Sequence, residues 1–190
     1  LNTLLTEKKG NTSLDDRKEF ARDAFNVSSH YDSAIFNYFA DGQVAAEKIS
    51  LSNGTVLRYG ENPHQMATNY VFNNTKITNT LANARVLQGK QLSYNNMLDA
   101  DAAWKAASDA YHAVKGISGK TAVAVVKHLN PCGLAVSNNT MKSLELAWAG
   151  DPVSAFGGIL CFTSEVSIDV AQWLSDKFIE IIIAPSYTSE

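Results

Sequence analysis

Between residues 121 and 184, short apolar runs alternate with stretches of helical period, and few folds accommodate that alternation. Val123-Ala124-Val125-Val126, Gly157 to Phe162 and Ile181-Ile182-Ile183 read as buried strands. Residues 140–149 and 168–178 between them read as helices, and a further helix runs from about Asn96 to Val114. In that helix Leu98, Ala103, Trp104, Ala107, Tyr111 and Val114 share a face. Strands alternating with helices of this length predict a layered α/β domain with a largely parallel sheet.

The amino-terminal region has another pattern. Ser13 with Asp16 three residues on resembles a capping box. Phe20, Ala21, Ala24, Phe25 and Val27, and then Tyr31, Ala34, Ile35, Tyr38 and Phe39, recur at helical spacing on either side of Ser28-Ser29. This predicts two helices or one kinked helix ending near Asp41-Gly42, with the aromatic stripe in a core. The boundary to the α/β region falls at about 42–50. Thr55-Val56-Leu57 reads as a short strand entered through an Asn53-Gly54 turn.

Composition excludes several classes. A chain of net charge -3 whose 16 basic residues are scattered does not resemble a nucleic-acid binder. Its longest apolar runs fall short of a membrane span. Cys132 and Cys161 have neither the number nor the spacing of a disulfide framework or a zinc site. The expectation is a reduced, cytoplasmic protein. The chain opens without a methionine and ends just past an apolar run, which predicts an internal piece of a longer protein.

Four polar clusters fall at expected strand ends or loops. In Arg58-Tyr59-Gly60-Glu61-Asn62-Pro63-His64, an arginine beside a tyrosine suits a phosphate or carboxylate next to a flat ring. In Ser93-Tyr94-Asn95-Asn96, either asparagine suits an amide edge or serves as a helix N-cap. Lys127-His128 closes a buried strand, at the end where ligands bind in open α/β sheets, and Asn130-Pro131 is expected to turn the chain there. Ser154-Ala155-Phe156-Gly157-Gly158 lets a ligand approach the backbone, although Gly158 reads better as relief for a crowded strand start. No dinucleotide fingerprint and no nucleotide-triphosphate phosphate loop is present.

In this order RYGENPHQ (58–65), LSYNNMLDADAAW (92–104), KHLNPCG (127–133), DPVSAFGG (151–158) and IIIAPSY (181–187) resemble the bifunctional AICAR transformylase/IMP cyclohydrolase family of purine biosynthesis. Residues 13–39 resemble the helices that close that family's cyclohydrolase domain. The resemblance implies that 1–48 are the end of the cyclohydrolase domain with its linker. It implies that 49–190 are an incomplete first unit of the transformylase, a three-layer α/β/α cytidine-deaminase-like fold. It further implies formyl transfer from 10-formyltetrahydrofolate to the 5-amino group of AICAR, with no metal in the chemistry, in a homodimeric parent; alone the piece is expected to be inactive. By matching motif, His128 would be the general base and Lys127 the oxyanion stabiliser. Arg58, Tyr59, Asn96 and Gly157 would hold the nucleotide. Glu180 stands where some family members carry an aspartate before the IIAP strand.

Two other readings compete. One is a non-catalytic nucleotide-binding or assembly module. The other is a zinc nucleoside deaminase, whose H-x-E and P-C-x-x-C signature Pro131-Cys132 half imitates. Ala135 stands in place of the second cysteine, and H-x-E does not occur.

Overall fold

A computed structural model describes residues 1–42, 46–73 and 80–188. Residues 43–45, within the expected boundary region, lie outside the described residues. The chain separates into two compact units, Leu1–Thr55 with Tyr70–Asn79, and Val56–Asn69 with Thr80–Glu190.

The first unit holds α1 (Asn2–Glu7), α2 (Leu14–Ala40) and most of a two-stranded sheet of β1 (Leu51–Val56) and β2 (Thr68–Phe72). The capping box at Ser13 is present in both directions: Asp16 N–H donates to Ser13 Oγ at 3.1 Å, and Ser13 N–H donates to Asp16 Oδ2 at 2.7 Å. No break follows at Ser28-Ser29. Both serines donate back to helix carbonyls, of Phe25 and Asn26, so their hydroxyls are satisfied without leaving the helix. The helix stops where Asp41 and Gly42 turn left-handed, at φ 42° and 78°.

The expected aromatic core of this segment is not found. No described residue of α2 is buried, and Phe25, Tyr38 and Phe39 are each more than 70% exposed. Helical spacing gathers apolar side chains on a stripe, but burial needs a facing surface. Here α2 meets segment 46–50, where Asn37 Nδ2 donates to Lys48 O at 2.8 Å and His30 Nδ1 pairs with Ser50 Oγ. Asn53-Gly54 is not a turn ahead of a strand. It lies inside β1, with Asn53 at φ 52°.

The second unit holds α3 (Tyr94–Ala113), β3 (Thr121–Lys127), β4 (Asn130–Ser137), α4 (Thr140–Trp148), α5 (Pro152–Ala155), β5 (Gly158–Phe162), α6 (Ile168–Leu174) and β6 (Ile179–Ile183). Helices cover both faces of its sheet. On one face Val123, Val125, Leu160 and Phe162 pack with Leu144 and Ala147 of α4 and Val170 and Leu174 of α6. On the other, Ala124, Val126, Ile159 and Cys161 pack against Ala100, Ala103 and Ala107 of α3. Successive residues of β3 thus alternate between two cores, which is why its run is apolar throughout.

The sheet is mixed rather than largely parallel. Its order is β4-β3-β5-β6, and only β5 and β6 run parallel. A two-residue connection cannot make a parallel crossover, so β3 and β4 form an antiparallel hairpin. Strand β4 escapes sequence reading because it opens with Asn130-Pro131 and contains Gly133. Proline is tolerated because β4 is an edge strand with a bulge: Val125 faces Gly133 and Val126 faces Pro131, leaving Cys132 as the extra residue. Gly133 is required by close approach, since a Cβ there would stand 1.8 Å from Ala147 O at the end of α4. No described helix is long and apolar enough to cross a membrane.

Candidate functional site

The antiparallel pairing of β3 with β5 and β6 decides where polar groups collect. Val126 pairs with Ile159, and Gly158 pairs with Ile179, so the end of β3 and the starts of β5 and β6 share one rim of the sheet. Of the three, only β3 offers the expected carboxyl end; β5 and β6 offer their amino ends.

Lys127 ends β3. Its ammonium donates to Phe156 O at 2.7 Å, and its Nζ lies 3.9 Å from where a Cβ of Gly157 would stand. Gly157 is at φ 70°, its N–H donates to Phe178 O at 2.8 Å, and an added Cβ would meet the Phe178 ring at 3.3 Å. Gly158, at the buried start of β5, has Ala155 O and Val126 O within about 3 Å of a Cβ position, so it does relieve a crowded strand start. Ser154 is taken up in capping α5. It donates to Asp151 Oδ2 at 2.6 Å, and that hydroxyl, with backbone N–H groups, holds the Asp151 carboxyl below its ordinary range.

The chain turns after Lys127, but not at Asn130-Pro131. The turn residues are His128 and Leu129, at φ 52° and 65°, in the geometry of a two-residue hairpin whose central residues are both left-handed. Asn130 and Pro131 already belong to β4. Asn130 Nδ2 donates to His128 O at 2.8 Å, and Leu129 N–H donates to Asp99 Oδ1 at 2.7 Å. His128 is exposed on the rim.

The start of α3 is fixed by Ser93, which is the cap in place of either asparagine. Ser93 Oγ accepts from Asn96 N–H at 3.2 Å, while Asn96 Oδ1 accepts from Ser93 N–H at 3.1 Å. Asn96 Nδ2 then donates to Glu180 Oε2 at 2.9 Å, joining α3 to β6. Segment 58–61 lies along the same helix start. Arg58 N–H donates to Leu92 O, Tyr94 N–H to Tyr59 O and Asn95 Nδ2 to Glu61 O, at 2.8, 3.0 and 3.1 Å. The Arg58 guanidinium lies over the Tyr59 ring, 4.9 Å from its centroid, and donates to the Tyr59 hydroxyl at 3.3 Å. Among the described residues no carboxylate forms an ion pair with Arg58.

Lys127 and Gly157 are thus brought together, as are Asn96 and Glu180, and Arg58 and Tyr59; His128 is tied to α3 through its neighbour Leu129, whose N–H donates to Asp99. Asp99 was missed. Its signal, an acidic residue one helical turn past Asn96, is ordinary until the turn it holds is known. The thiols are apart from this chemistry: burial raises the pKa of Cys132 and pushes that of Cys161 to about 12. Among the described residues no group of three or more His, Cys, Asp or Glu is placed to hold a metal ion.

The model of the AICARFT/IMPCHase bienzyme matches residues 2–190. The chain belongs to the AICARFT/IMPCHase family. Similar members are the bifunctional purine biosynthesis proteins PurH of Bacteroides thetaiotaomicron and of Listeria monocytogenes serotype 4a. The first is 42% identical over 184 residues, covering 97% of the chain and 33% of the relative. The second is 42% identical over 194 residues, covering 99% and 36%. PurH of Aquifex aeolicus is 38% identical over 188 residues, covering 96% and 35%. The chain therefore spans about a third of the length of the AICARFT/IMPCHase relatives it matches.

Proposed function

We propose that this chain is a portion of a bifunctional purine-biosynthesis enzyme, and that its rim serves the step that moves a formyl group from 10-formyltetrahydrofolate to AICAR. Residues 1–48 would close the cyclohydrolase domain, and 49–190 would begin the transformylase as a cytidine-deaminase-like unit. Family membership over 2–190 supports this reading, as does coverage of a third of each relative. The observation that carries it is the hairpin that ends β3, which puts a lysine and a histidine side by side on a rim shared with Asn96, Gly157 and Glu180.

The chemistry needs these groups. The AICAR amine is a weak nucleophile because its lone pair is delocalised into ring and carboxamide. As its nitrogen bonds to the formyl carbon it must lose a proton, and the carbonyl electrons move onto oxygen. His128 takes the proton as general base, a task an imidazole nitrogen suits. Lys127 faces the oxyanion with the N–H donors that Phe156 O leaves unused. Collapse of the adduct restores the carbonyl and releases the folate nitrogen, which takes the proton that His128 holds. Arg58 offers its planar fork to the phosphate, and the Tyr59 ring suits the base. Asn96 and the second oxygen of Glu180 suit ribose or amide groups. The same reading extends to a cytoplasmic homodimer acting on small molecules.

The test is His128→Ala in the complete protein. Formyl transfer should fall by on the order of 10²–10⁴, the range for loss of a general base. Cyclohydrolase turnover should hold. Transfer within a few-fold of the unaltered enzyme would overturn the assignment.

A further inference from the structure

The turn that presents His128 pairs a histidine with a leucine, in a place that usually takes Asn, Asp or Gly. A Cβ crowds the left-handed backbone there. His128 and Leu129 hold φ 52° and 65° with full side chains. Such a conformation persists only where its surroundings fix it. Asn130 Nδ2 fixes one side by donating to His128 O. The other side is fixed from outside the hairpin. Leu129 N–H lies in the turn, beyond the β3–β4 ladder, and Asp99 Oδ1 accepts it at 2.7 Å.

Asp99 sits on a rigid support. It is followed on α3 by Ala100, Ala103 and Ala107, all buried against β3 and β5. Three residues earlier on the same helix, Asn96 holds Glu180. One helix start thus fixes both the acidic side of the rim and the hairpin that carries the imidazole.

We propose that Asp99 is a positioning residue for formyl transfer, its carboxylate pinning the Leu129 amide so that His128 is presented beside Lys127. This rests on the reading of His128 as the general base. Asp99 touches neither substrate; it acts through the backbone of the turn.

The test uses Asp99→Ala and Asp99→Asn, with His128→Ala alongside. Misplacing a catalytic group by about an ångström costs on the order of a hundredfold, so Asp99→Ala should lower kcat by about ten- to a hundredfold with the KM for AICAR little changed. An amide oxygen accepts the same N–H, so Asp99→Asn should keep kcat within about threefold. Leu129→Gly placed on Asp99→Ala should recover much of the loss, since glycine holds the left-handed turn unaided. Hydrogen exchange of the Leu129 amide in the complete protein is the readout independent of turnover: protected in the unaltered protein and in Asp99→Asn, fast in Asp99→Ala. An Asp99→Asn as damaged as Asp99→Ala would overturn the proposal, as would an undiminished Asp99→Ala or an equally protected amide. If His128→Ala is silent, the formyl-transfer reading fails and the positioning role goes with it. The amide result then still decides whether Asp99 holds the turn.

Discussion

Asn96 and Glu180, 84 residues apart, meet in a hydrogen bond of 2.9 Å that joins the first turn of α3 to the start of β6. The bond takes one of the two N–H donors of Asn96 Nδ2, whose oxygen already accepts from Ser93, and engages one of the two carboxylate oxygens of Glu180. In the proposed site Glu180 is the acceptor that reads the nucleotide, held in place by Asn96, which keeps one N–H for it as well.

This ordering predicts the effect of Glu180→Gln in the complete protein. The amide oxygen still accepts from Asn96, but the second acceptor becomes a donor. Losing a hydrogen bond from a charged group costs about 1.5–3 kcal/mol, so the KM for AICAR should rise by about tenfold or more. Glu180 is exposed, so the melting temperature should move by no more than about 2 °C. A normal KM for AICAR would remove Glu180 from the site.

Packing between β4 and α4 gives a stability prediction without any appeal to function. A Cβ at Gly133 would fall 1.8 Å from a backbone oxygen, which no side-chain rotation relieves. Gly133→Ala should destabilise the chain by about 3 kcal/mol or more in urea unfolding, at the upper end for overpacking. Gly116→Ala is the control, because nothing lies within 4 Å of its Cβ position, and it should stay within about 0.5 kcal/mol. Equal midpoints for the two variants would mean that α4 does not press on β4.

Periodicity made β3, β5, β6 and the helices between them legible, because each buries a regular face. It failed at β4, where Asn130, Pro131 and Gly133 read as turn formers but sit on an edge strand next to a bulge. The turn itself comes two residues before Asn130-Pro131, at His128 and Leu129. Leu129 disfavours left-handed backbone, and what holds it there comes from Asp99, 30 residues earlier. The α2 stripe misled for the opposite reason: helical spacing is a local property, whereas burial depends on what faces the helix. The rim was announced by Lys127-His128, charged side chains at the end of an apolar run. The Asn96–Glu180 bond had no sequence signal at all.

The buried Cys161 thiol predicts a pH effect of definite sign. Burial raises its pKa from about 9 to about 12, so the folded chain keeps the proton over a range where the unfolded chain loses it. Its contribution to stability should be complete below pH 9 and be lost as the pH rises from 9 towards 12. Replacing Cys161 with alanine should flatten that part of the stability–pH curve, whatever it does to stability at neutral pH. In the native chain near pH 8, a thiol reagent should reach half-buried Cys132 well before Cys161. Equal labelling rates would contradict the burial.

The last prediction concerns the Arg58 guanidinium, which lies over the Tyr59 ring with no carboxylate partner among the described residues. A planar fork held over a ring can grip a phosphate through two parallel N–H donors, whereas an ammonium offers a point charge. Arg58→Lys should therefore not be conservative. In the complete protein the KM for AICAR should rise by about tenfold, the cost of a lost charge-assisted bond, while the KM for the folate stays nearly constant. A role through charge alone would leave Arg58→Lys almost silent. A role only in holding segment 58–61 against α3 would lower the melting temperature and spare both constants, and it is the less expected outcome because that segment is tied by backbone bonds at Arg58 and Tyr59. Both constants measured beside thermal stability separate the three cases, and an unchanged constant for AICAR would take Arg58 out of the nucleotide site.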